Sequence, residues 1–152
     1  MRKLLYAALA AGVIATPAMA KRPVSLDSAV FVERLGHTHD GRVERWIEPA
    51  SQLKRGDRLV LVVEWQSVPD AQGFAVTSAI PRTIAFQNAS TDTMEVSVDG
   101  GKSWGRLGEL KASDSYGSRL ATAEDVTHLR WRINPNDARR GTGRVTYSAI
   151  VR

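Results

Sequence analysis

The chain of 152 residues contains no cysteine. That excludes a disulfide framework, a cysteine nucleophile and a thiolate metal site. Histidine occurs only three times, so an imidazole-based site has few ways to form. Beyond residue 20 no apolar run approaches the ~20 residues a membrane helix needs, so no span is expected in the mature chain. A sustained apolar stripe at helical spacing is missing there too. Lysine is scarce beside arginine, 5 against 16. The formal charge of +5 includes Arg2 and Lys3, and residues 21–152 carry +3 (19 basic, 16 acidic). So weak a basic excess does not call for nucleic acid, and no aromatic–basic recognition motif accompanies it.

What is present begins with a leader. Residues 1–20 read as a positive start at Arg2 and Lys3, an apolar stretch from Leu4 to Ala15, a break at Thr16-Pro17, and Ala18-Met19-Ala20. This is the layout of a secretory signal peptide cleaved after Ala20. No cysteine follows to carry a lipid. The expected product is an exported protein, periplasmic, extracellular or held at the cell surface. Residues 21–152 are enough for one domain with one core and too few for two.

From residue 24 onward the apolar period is two. Alternation runs from Val24 to Leu35, over Arg42–Pro49, and through Leu59, Leu61, Val63 and Trp65. It resumes at Phe74, Val76, Ser78 and Ile80, at Ile84 and Phe86, and at Met94, Val96 and Val98. Asp99-Gly100-Gly101 is a hairpin signal, and Trp104–Leu110 is expected as the returning strand. Residues 111–125 are polar and irregular and read as a loop, with room for one helical turn over 118–125. Leu129, Trp131 and Ile133 precede a turn at Asn134–Asp137, and Val145, Tyr147, Ala149 and Val151 close the chain. Eight or nine short strands with frequent turns predict an all-β fold, an antiparallel immunoglobulin-like β-sandwich. A small closed β-barrel is the alternative.

Several segments in order carry a resemblance. They are Leu53–Leu59 (LKRGDRL), Val76–Pro81 (VTSAIP), Ser97–Trp104 (SVDGGKSW), Val126–Trp131 (VTHLRW) and the closing Gly141–Val151. Together they resemble the bacterial conserved-repeat domain of unknown function, an immunoglobulin-like module of secreted and surface proteins. The resemblance covers most of residues 24–152. It departs from the family pattern at Gln66–Asp70, where an asparagine-containing turn is usual, and at Ser78-Ala79, where an acidic residue is usual. The family has no known catalytic residues. The resemblance therefore implies an extracytoplasmic structural or interaction module and no catalytic site. Locally, Ser97, Asp99, Gly101 and Trp104 also resemble the Asp-box, a hairpin motif of sialidases and other propellers. A propeller needs more strands than this chain has, so the single copy reads as structural. Asp99 would accept backbone hydrogen bonds, Gly101 would supply positive φ, and Trp104 would anchor the hairpin.

Other residues carry weaker signals. His37, His39 and Asp40 form H-x-H-D between two glycines. This is a donor set for copper or zinc, weighed against a solvated hairpin tip. The third histidine, His128, is distant in sequence. Trp65 and Trp131 are in phase with core positions, whereas Trp46 is out of phase with Val43 and lies between Glu44 and Glu48. Trp46 is thus a candidate aromatic contact, weighed against burial at the edge of the core. Arg130 and Arg132 share a strand face with His128, and Arg139, Arg140 and Arg144 follow. With Trp46 they form a possible contact for an anionic polysaccharide, weighed against a face paired with nearby carboxylates. No catalytic constellation is expected, and no Gly-Asp-Ser or Gly-x-Ser-x-Gly elbow. Ser113-Asp114-Ser115 has no partner histidine by spacing, and the carboxylates are not paired by any motif. The sequence reading is a non-catalytic module with structural or interaction roles in the cell envelope, without cofactor, whose partners are envelope or surface proteins. A carbohydrate-binding module and a periplasmic metal-handling protein are the alternatives.

Overall fold

A strand alternates its side chains between two faces. Leu59, Val63 and Trp65 consequently lie on one side of strand β3 (Arg58–Ser67), and all three are buried. The computed structural model describes residues 24–91 and 93–152, and the signal-peptide assignment lies outside them. Strand β3 sits between the first and last strands described, β1 (Val24–His37) and β10 (Thr142–Val151), antiparallel to both. With β2 (Val43–Pro49) beside β1 and β5 (Ile84–Ala89) beside β10, the order is β2-β1-β3-β10-β5. A second sheet has β9 (His128–Ile133) between β4 (Phe74–Ala79) and β6 (Glu95–Ser97). Every pairing is antiparallel, and neither sheet closes on itself. The molecule is an all-β sandwich and not a barrel.

The core lies between the sheets. Val32, Leu59, Val63, Trp65, Phe86, Val145, Tyr147 and Ala149 come from the large sheet, and Val76, Val96, Leu129 and Trp131 from the small one. Two contacts tie the layers beyond apolar burial. Tyr147 Oη lies 3.0 Å from Ser78 Oγ, which satisfies a phenol that burial pushes up in pKa. The rings of Trp65 and Phe74 meet edge to face at 5.3 Å. Gly143 faces Trp65 across the β3–β10 ladder. A Cβ at Gly143 would sit 2.2 Å from the Trp65 ring, so the indole occupies the space a side chain would need.

Strands β1 and β2 stand at the edge of this arrangement. The three-stranded sheet covers β3, β10 and β5, while most of β1 and all of β2 contribute nothing buried to the core. From β2 the chain passes across β1 to reach β3, and Arg34 of β1 fastens the crossing. Its Nε lies 2.9 Å from Glu48 Oε1, its Nη1 3.1 Å from Asp57 Oδ1, and its Nη2 3.5 Å from the carbonyl of Gln52. Asp57 in turn accepts the amide of Lys54 at 2.8 Å, which, ahead of its pairing with Arg34, holds its carboxyl below the usual range.

Three expectations are corrected. Residues 111–125 are not a loop throughout: β7 (Lys111–Asp114) and β8 (Gly117–Leu120) form a hairpin, followed by a 3-10 turn at Ala123–Asp125. With this hairpin the described residues hold ten strands, close to the eight or nine expected. Trp104–Leu110 is not a returning strand. Only Gly105 bridges to Val96, and Gly108, at φ +96°, turns the chain away. The Asn134–Asp137 turn grows into a short helix, α1 (Pro135–Ala138), because Asn134 Oδ1 accepts the Asp137 amide and proline starts the helix.

Candidate functional site

The Asp99 turn is built from its own side chains. Ser97, fully buried, donates its hydroxyl to Asp99 Oδ1 at 2.8 Å and accepts the Gly101 amide at 2.8 Å. Asp99 also accepts the amides of Lys102 and Ser103 at 3.0 and 2.9 Å, and the Ser103 hydroxyl at 2.6 Å. These bonds, the Ser103 hydroxyl first, hold the Asp99 carboxyl far below the ordinary aspartate range. Gly100 and Gly101 have φ of +79° and +88°. From β9's approach, Thr127 Oγ1 accepts the Gly100 amide at 3.0 Å and donates to the Ser97 carbonyl at 3.1 Å.

Residues 101–105 read Gly-Lys-Ser-Trp-Gly, the spacing of a serine nucleophile elbow, which corrects the expectation that no Gly-x-Ser-x-Gly motif is present. That elbow acts at a strand-to-helix turn with a base beside the serine. Here no helix follows, and the Ser103 hydroxyl is committed to Asp99. The nearby His128 ring meets Trp104 edge-on at 6.4 Å, and its Nδ1 lies 3.1 Å from Thr127 Oγ1. Among the described residues no hydrogen bond joins His128 to Ser103 or Asp99.

The arginines divide. The β6–β9 register sets Glu95 opposite Arg130. Glu95 Oε2 receives Nε of both Arg130, at 2.8 Å, and Arg132, at 2.9 Å, and the Arg130 bond is the main reason its pKa is lowered. The Arg130 guanidinium lies 4.2 Å from the centre of the Trp104 ring, a cation–π contact. Arg139 bonds Asn136 Oδ1 at 3.2 Å, and Arg140 lies 3.7 Å from Asp137. Glu95 and Thr127 are the residues that sequence reasoning missed at this end of the molecule.

At the opposite edge, His37 ends β1 and His39 and Asp40 occupy the turn to β2. Asp40 hydrogen-bonds Thr38 and pairs with the exposed Arg42 at 3.2 Å. His128 lies in the other sheet. Among the described residues no group of three His, Asp or Glu is placed to hold a metal. Trp46 is 44 % exposed, so the expected burial at the edge of the core does not occur. Its ring instead lies over Gly36, where an added Cβ would meet it at 2.9 Å.

The β1–β2 arm concentrates exposed apolar surface. Leu35, Val43 and Ile47 lie on one face, set by the His37↔Val43 and Glu33↔Ile47 register. Leu26, Val30 and Trp46 lie on the other, exposed where the small sheet does not reach. Six of the eleven large apolar side chains exposed among the described residues belong to these two strands, so exposure is clustered and not scattered. The Glu33–Arg45 ion pair, at 2.9 Å, sits between Leu35 and Ile47 and gives the outer face a polar mark. Among the described residues no helix is long and apolar enough to cross a membrane. Comparison with family models, curated proteins and solved structures returns no match.

Proposed function

We propose that this protein is a non-catalytic interaction module of the cell envelope, an exported β-sandwich that holds a partner protein against its β1–β2 arm. The observation that carries the reading is the clustering of Leu35, Val43 and Ile47 on one face of that arm. Exposed aliphatic groups on a sheet gain free energy when another protein covers them, at about 25 cal/mol per Å² removed from water. The Glu33–Arg45 pair amid them supplies the charge pattern that fixes orientation. The resemblance to the bacterial conserved-repeat domain supports the same role and the same compartment. The commitment of Ser103 and Asp99 to their own turn supports a non-catalytic reading of that segment.

Capture from envelope extract on the immobilised protein tests the proposal. The double variant Val43→Glu with Ile47→Glu alters two exposed side chains and should leave the melting temperature nearly unchanged. The expected result is a partner protein retained by the wild type and lost from the variant. Equal retention by both proteins, or none by the wild type, removes the arm from the function.

A further inference from the structure

Where the two sheets open near α1, Trp65, Trp131 and Val145 wall a cleft of about 240 Å³. Arg132, Arg140 and Arg144 come to its rim from β9, from the end of α1 and from β10. Among the described lining residues three arginines stand against one carboxylate, Asp137. Arg132 shares a single carboxylate, Glu95, with Arg130, and Arg140 meets Asp137 only at 3.7 Å with its side chain 77 % exposed. Arg144 stands opposite Glu64 in the β3–β10 register, and no ion pair joins it to any described residue. Thr91, Thr93 and Thr142 bring hydroxyl-bearing side chains to the same cleft.

The second observation is independent of the charges. Trp131 is 2 % exposed, and its indole Nε1–H is buried with no acceptor among the described residues, the one such side-chain atom there. Native interiors rarely leave a donor unpaired, and this indole borders the cleft. The Trp65 indole reaches the same wall only because position 143 is glycine.

We propose that this cleft binds one carboxylated sugar ring of an acidic polysaccharide. The volume lies just below the range of ordinary small-molecule sites, roughly 300–1,000 Å³, and suits a single ring. The indole edges and Val145 face its C–H surface, and the threonine hydroxyls match its hydroxyls. The guanidinium groups of Arg140 and Arg144 take the carboxylate, and a sugar oxygen becomes the acceptor of the Trp131 N–H. The mixture of hydroxyls with cations favours a sugar acid over an acidic peptide. This site does not depend on the arm.

The probe is trigalacturonate, titrated into ¹⁵N-labelled protein, with maltotriose and tetraglutamate as comparison ligands. Trigalacturonate should move the indole N–H resonance of Trp131 and leave that of Trp46 in place. Neutral maltotriose should bind at least about tenfold more weakly. The variant Arg140→Gln with Arg144→Gln changes two exposed side chains and should weaken trigalacturonate by about tenfold or more with melting unchanged. An unmoved Trp131 resonance at millimolar trigalacturonate overturns the proposal, as does equal affinity in the variant. Tetraglutamate binding as tightly as trigalacturonate also overturns it and assigns the cleft to acidic peptides.

Discussion

At the scale of single residues, the Asp99 carboxylate is occupied on both oxygens by the turn it organises. Its pKa in the folded protein is depressed, so the stability it contributes is present above the ordinary aspartate range and is lost as pH falls below about 4. Asp125 behaves alike, held down first by Arg119 and then by the Thr122 amide. We expect Asp99→Ala to lower the melting temperature at pH 7 by several degrees. The gap between wild type and variant should shrink steadily as pH falls below 4. A gap that stays constant with pH, measured by circular dichroism melts, contradicts the assignment. The proximity of Ser97, Asp99 and Gly101 was legible in the sequence because turn chemistry is local. The stacking of Arg130 on Trp104 was not, because it depends on the β6–β9 register between segments 35 positions apart. Phase set Trp46 apart from Val43 but left edge burial open, because only the extent of the opposing sheet decides whether a face is covered.

At the scale of elements, apolar alternation located every strand that carries apolar residues at a period of two, the exposed β2 included, and missed the polar hairpin β7–β8. Of the eight residues of β7 and β8, seven are exposed, so hydrophobic periodicity had nothing to report. Their cue is the turn itself, where Asp114 accepts the Tyr116 amide at 2.8 Å and Gly117 takes φ +127°. The opposite error at Trp104–Leu110 has a matching cause. Apolar residues there serve a chain that is turning, with Gly105 pressed against the Leu110 side chain. For the β3–β10 pair, the close fit of Trp65 over Gly143 makes a direct prediction. Gly143→Ala should destabilise the protein by about 1–3 kcal/mol, since the added methyl drives the indole off its position. Urea denaturation measures this, and a loss under about 0.5 kcal/mol would show that the ring relaxes freely.

At the scale of the whole molecule, the all-β class and the sandwich were legible because a period of two with frequent turns leaves few alternatives. The strand order was not, since alternation names faces and never neighbours. It matters for stability across the fold. Strands β3 and β10 are paired on both sides and lie over the core, whereas β7 and β8 have only each other. Hydrogen exchange should therefore be slowest in β3 and β10 and fastest in β7–β8, a contrast expected from locally unfolding segments. Uniform protection across all ten strands would contradict it. The same order sets a timetable. Chain synthesis runs from Val24 toward Val151, and β3 is made early, yet one of its two partners, β10, is made after all the other strands described. Until Thr142–Val151 arrives, β3 and β5 each lack the neighbour that joins them, and the large sheet remains in two pieces. A growing chain thus keeps unpaired strand edges exposed until β10 closes the sheet.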